Sequence, residues 1–123
     1  MPARVYIFPI EKKEKLKEML AYDPYLDPKL SKEDIEKLRE DELANVIFAR
    51  QDYELRDGGS INLDSSKCYL FLNAQEDFLR KAEIKLKSIE GMERAPPDLE
   101  TKVSMFIENE RKGVDEGFGS IFG

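Results

Sequence analysis

The sequence predicts an α+β domain with a ferredoxin-like split β-α-β core. That core is a four-stranded antiparallel sheet with two helices on one face, here with an inserted short helix and an extra C-terminal helix. Three observations carry the prediction. Side chains alternate in character with period two at 3–8 and at 67–72, the period of a strand. Apolar residues recur every three to four positions at 11–21, 74–89 and 98–113, the period of a helix. The elements then follow as β-α-(α)-β-β-α-β-α, whose first six regular members, without the insertion, are the split β-α-β order.

Each element has its own signal. Over residues 3–8, Val5 and Ile7 point to one face and Tyr6 and Phe8 to the other, and Pro9 ends the strand because it has no amide to donate. The first helix, 11–21, sets Leu16, Met19 and Leu20 against a wet face of interleaved Lys and Glu. Residues 22–43 read as an insertion. Two Asp-Pro turns lead to Ser31, an N-cap with Asp34 three residues on in capping-box position. Leu30 and Ile35 take the positions of a hydrophobic staple, and Ile35, Leu38 and Leu43 are expected to face inward. Residues 44–56 start apolar and end polar, as a long strand leaving the core would. Asp57-Gly58-Gly59-Ser60 predicts a tight hairpin whose glycines supply positive φ, with Ile61 and Leu63 resuming a strand.

The clearest strand is 67–72, and Asn73 with Glu76 is expected to cap the helix that follows. Gly91 marks the end of that helix, and Met92–Ala95 is short enough for an edge strand. The last helix, 98–113, carries the stripe Leu99, Val103, Phe106 and Ile107, with Gly113 as its stop. Residues 1–116 thus read as one domain, and 117–123 as a Gly/Phe-rich tail with three large apolar side chains.

Composition narrows the function. Charged residues reach 37 %, well above the quarter that is usual, and Glu and Lys are intermixed, which describes solvated helix faces. The chain has no His or Trp and a single Cys, an ion-pair-rich usage resembling that of thermophile proteins. A net charge of −6 with no basic segment disfavours polyanionic partners, RNA included. One Cys makes no internal disulfide and fits a reducing cytoplasm, and no apolar run is long enough to span a bilayer. Triads that use His are excluded, a zinc site lacks its ligands, and Cys68 is placed in the core, so no catalytic residue, cofactor or metal is expected.

The open face of the sheet is the informative surface. Alternation places Tyr6, Phe8, Lys67, Tyr69 and Phe71 there, away from the first two core helices. The stretch Lys67-Cys68-Tyr69-Leu70-Phe71-Leu72-Asn73-Ala74 resembles the RNP1 octapeptide of RNA-recognition motifs at Lys67, Tyr69 and Phe71, and Val5-Tyr6-Ile7 resembles the start of that family's RNP2 strand. The resemblance implies stacking of single-stranded RNA bases on Tyr6, Tyr69 and Phe71, with Lys67 near a phosphate. It departs from the pattern at Cys68, Leu70 and Ala74. The 98–113 stripe needs a surface to bury, and this face is the obvious one.

The leading function is therefore a non-enzymatic protein–protein interaction or assembly module, an accessory subunit of a cytoplasmic complex whose partner is another protein or a second copy. Its expected contact residues are Tyr6, Phe8, Lys67, Tyr69 and Phe71 on the sheet, and Phe118, Ile121 and Phe122 on the tail. Single-stranded RNA binding on the aromatic face is one alternative. The other is a small-molecule-binding regulatory domain or carboxylate-based enzyme built around the 51–60 hairpin.

Overall fold

β1 (Ala3–Pro9) organises the sheet. It pairs antiparallel with β3 (Lys67–Asn73) from Ala3 opposite Asn73 to Pro9 opposite Lys67. β2 (Asp52–Asp57) runs antiparallel along the outer side of β3, and β4, only Glu93–Arg94, lies antiparallel on the outer side of β1. The result is an open four-stranded antiparallel sheet in the order β2-β3-β1-β4. The α-helices are α1 (Lys13–Ala21), α2 (Lys32–Glu40), α3 (Glu76–Leu86) and α4 (Pro97–Glu116), so the chain is α+β. The computed structural model describes residues 2–116.

Both faces of the sheet are covered. On one, Tyr6, Phe8, Cys68, Leu70 and Leu72 pack under Leu16 and Leu20 of α1 and Leu79, Ala82 and Leu86 of α3. On the other, Val5, Ile7, Tyr69 and Phe71 lie under Val103 and Ile107 of α4. This corrects the sequence reading of β1. Residues opposite one another across a ladder share a face. Tyr6 stands opposite Leu70 and Ile7 opposite Tyr69. Tyr6 and Phe8 therefore belong to the α1/α3 side, while Val5 and Ile7 join Tyr69 and Phe71. The alternation within each strand holds; the register between the strands is one residue from the expected one, which swaps the faces.

Other expectations also give way. The apolar stretch Val46-Ile47-Phe48 is buried but is not strand; one turn of 3₁₀ helix covers Phe48–Arg50, and β2 begins only at Asp52. Phe48 serves the helix layer instead. Its ring meets Phe78 of α3 edge-on at 5.9 Å, and Lys85 of α3 donates to the Val46 carbonyl at 3.0 Å. The β2–β3 connection is no tight hairpin. Gly58–Ile61 form a 3₁₀ turn, and the positive φ falls on Asn62, at 60°, not on a glycine. Gly58 is needed for close approach, since a Cβ there would sit 1.8 Å from the Asp64 carbonyl oxygen. Ile61 and Leu63 pack into the α4-side core without forming strand.

Asn73 stays in β3, and α3 starts at Glu76 behind Gln75, with no side-chain cap at that position. Gly91, at φ 87°, serves the turn into β4, several residues past the end of α3 at Leu86. α4 runs through Gly113 to Glu116. Three of its stripe residues behave as expected: Val103 and Ile107 are buried and Leu99 packs beside them. Phe106 turns outward instead.

Candidate interaction surface

α4 closes the aromatic face with apolar contacts at its centre and charged ones at both ends. Near its start, the Glu100 carboxylate accepts from the Val5 amide at 3.0 Å. That amide lies where β4 is too short to pair it, and the Ala95 amide donates to the Val5 carbonyl at 2.9 Å. Near its other end, Arg111 donates to Asp52 at 2.9 Å and to Glu54 at 3.0 Å on β2, and Arg56 of β2 donates to Glu110 at 2.7 Å and to Glu54 at 2.9 Å. The Arg111 guanidinium lies 5.5 Å from the centre of the Phe71 ring. The Arg111 hydrogen bond holds the Asp52 carboxyl below its ordinary range. Desolvation works to raise Glu54, but Arg111 and Arg56 outweigh it and the net shift is downward. Glu110 is lowered by Arg56.

The predicted contact residues are now placed. Tyr6 and Phe8 are fully buried beneath α1 and α3. The Tyr6 hydroxyl donates to Glu83 at 3.1 Å, and desolvation pushes its pKa up to about 12. Tyr69 and Phe71 are 4 % and 1 % exposed beneath α4, and Lys67 is half-buried at the start of β3. Base stacking needs an open ring face, and a ring covered to this degree offers none in the folded chain. Phe118, Ile121 and Phe122 lie outside the described residues. Around the 51–60 segment, Asp52 and Glu54 are engaged by arginines and Asp57 meets Lys13 at 2.7 Å. Among the described residues, no group of three or more acidic or Cys residues is arranged to hold a metal ion, and no helix is long and apolar enough to cross a membrane.

Of the residues expected to face inward, Ile35 and Leu38 are only half-buried and Leu43 is exposed. α2 starts as predicted, with a complete capping box: the Asp34 amide donates to the Ser31 hydroxyl at 3.1 Å, and the Ser31 amide donates to the Asp34 carboxylate at 3.0 Å. Those bonds, backbone first, lower the Asp34 pKa. Yet α2 contains no buried residue. Ile35, Leu38, Leu30 and Leu43 belong to neither core. Leu26 is 78 % exposed, Tyr22 48 % and Leu43 39 %.

Within 22–43 only Pro24 is fully buried, and polar links hold much of the segment. Arg50 donates to Asp23 at 2.9 Å and lies 5.3 Å from the Tyr25 ring centre. The Tyr25 hydroxyl donates to Asn45, whose amide donates to the Leu38 carbonyl at the end of α2. Asp41 accepts from the Leu43 and Ala44 amides at 3.0 and 3.2 Å. The segment thus has a defined shape and, among the described residues, an apolar line that is only half-buried. No family model matches the chain, and no curated protein or solved structure matches it significantly.

Proposed function

We propose that this chain is a non-enzymatic protein–protein interaction module, an assembly or accessory subunit of a cytoplasmic complex, and that it docks through the 22–43 insertion. The observation that carries this reading is α2, a well-capped amphipathic helix whose Ile35 and Leu38 touch neither core. A helix gains most of its stability by burying its apolar face, so one built this carefully with that face only half-buried calls for a partner. The fold supports such a role as a scaffold. We read the sheet, with β1 and β3 central and α1 and α3 on one face, as a ferredoxin-like split β-α-β core to which α2 and α4 have been added. α4 seals the second face of the sheet, and the insertion keeps Tyr22, Leu26 and Leu43 exposed beside the half-buried Ile35 and Leu38, while Ile84 of α3 and Met105 and Phe106 of α4 are exposed elsewhere.

The test is native size-exclusion of the tagged chain in extract of its source cells. The wild-type chain is expected in a particle larger than its own 14.3 kDa. An Ile35→Glu/Leu38→Glu variant is expected to run as the free chain while keeping its thermal midpoint. A wild-type chain that migrates alone in extract and also stays at monomer mass when purified and concentrated would contradict the proposal.

A further inference from the structure

Resting on that reading, we infer that the partner of α2 is a second copy of this chain, and that two α2 helices pair side by side, pointing the same way, about a two-fold axis parallel to them. The basis is the charge on either side of the apolar line. A groove of about 350 Å³ on one side is lined by Leu30 and Ile35 with Lys32, Glu36 and Arg39. A groove of about 320 Å³ on the other is lined by Leu30 and Leu38 with Asp34, Lys37 and Asp41. One edge has two cations and one anion; the other has two anions and one cation. Lys32 and Arg39 are seven residues apart, so at 3.6 residues per turn they stack along one side of the helix, and Asp34 and the C-cap residue Asp41 line the groove on the other side. Glu33 and Glu40, also seven apart, fall on the face opposite Ile35 and Leu38.

Symmetry then selects the arrangement. An isologous pair places the same patch of both copies together. Antiparallel helices related by a perpendicular two-fold bring each edge against its own counterpart, cations facing cations. Parallel helices related by a two-fold along their length bring the Lys32/Arg39 edge against the Asp34/Asp41 edge of the other copy, twice. Arg39 also borders an open cleft toward α3 that contains Asp77 and Lys81. The sheet edges are poor alternatives. β2 is lined with Asp52, Glu54, Arg56 and Asp57, and charges on an edge strand oppose strand addition. A seam one short helix long falls below the ~1,200 Å² of a standard interface, so the dimer is expected to be weak, about micromolar or weaker.

Sedimentation equilibrium of the purified full-length chain decides it, run from about 1 µM to about 1 mM to bracket that affinity. The wild-type mass is expected to rise from 14.3 kDa toward twice that value. Ile35→Glu is expected to abolish the rise. Arg39→Glu is expected to weaken association about tenfold or more, since like charges then meet at both symmetric contacts. The antiparallel alternative predicts the reverse, because the new glutamate would face Lys32 of the other copy. Both side chains lie outside the cores, so both variants should keep the wild-type thermal midpoint at low concentration. A wild-type chain that stays at monomer mass, association indifferent to Ile35→Glu, or association strengthened by Arg39→Glu would each overturn the inference. A purified monomer that still runs in a large particle in extract rejects the second copy but retains the interaction module; a chain that is single in both settings rejects both.

Discussion

α4 and α2 are both amphipathic and neither belongs to the α1/α3 layer, yet only one is part of the core. α4 lays Val103 and Ile107 on Val5, Ile7, Tyr69 and Phe71, and fastens its ends with Glu100 and Arg111. α2 leaves Ile35 and Leu38 half-buried and outside both cores, and is held by caps and side-chain hydrogen bonds. The difference shows that an apolar stripe says a helix will bury something, but not whether the cover comes from its own chain.

The largest effect should come from the covered face. Phe71→Ala removes a ring that is 1 % exposed, and truncating a core aromatic costs about 3–5 kcal/mol. Urea denaturation is expected to show that loss, while Leu38→Ala in dilute protein should cost less than ~1 kcal/mol, in the range of surface substitutions. Equal costs would erase the contrast between the helices. Next comes the Glu100 fastening. Glu100→Ala leaves the Val5 amide without its acceptor, worth about 1–3 kcal/mol in denaturation, whereas Glu100→Gln keeps a carbonyl acceptor and should recover most of it.

Ser31→Ala should be smaller and local. Loss of an N-cap costs about 1 kcal/mol, and because α2 buries no residue the cost should appear as fraying of α2 by amide exchange, with the global midpoint unchanged. If the whole domain loses stability in step, α2 is part of the cooperative core and the comparison fails.

The pH effect should be smallest. Asp52, Glu54 and Glu110 have folded pKa values below their ordinary ones. Their contribution is therefore present above the ordinary carboxylate range, near pH 4, and is lost as pH falls through the folded values. The groups are partly exposed, so each pair is worth ~0–1 kcal/mol at most. Acid titration of an Arg111→Ala variant should show a shallower loss of stability below about pH 4 than the parent. A variant with the parent's acid profile would mean that the arginine fastening contributes nothing.

Much of the fold was legible because local chemistry dictates it. The Ser31/Asp34 capping box, the strand at 67–73 and the short edge strand before Pro96 all rest on residues close in sequence. What stayed hidden depends on contacts between distant residues. β1 is apolar on both faces, Val5 and Ile7 on one and Tyr6 and Phe8 on the other, so nothing local sets its register against β3, and a one-residue difference moved Tyr6 and Phe8 under α1 and α3. Val46-Ile47-Phe48 has strand-like composition, but its cover is Phe78 and Lys85, far along the chain. The open α2 stripe carried a partial signal. A nine-residue helix between two turn-rich loops, with only Ile35 and Leu38 as its apolar line and unlike charges on its two edges, has little to anchor it to its own core.

The claim that the insertion, and not the aromatic sheet face, is the working surface is tested most directly by amide hydrogen exchange of the full-length chain, measured dilute and concentrated. Protection is predicted to rise with concentration across residues 30–43 and to stay constant across 67–73, already shielded by α4. Concentration-dependent protection at 67–73 or along α4, with 30–43 unchanged, would contradict it.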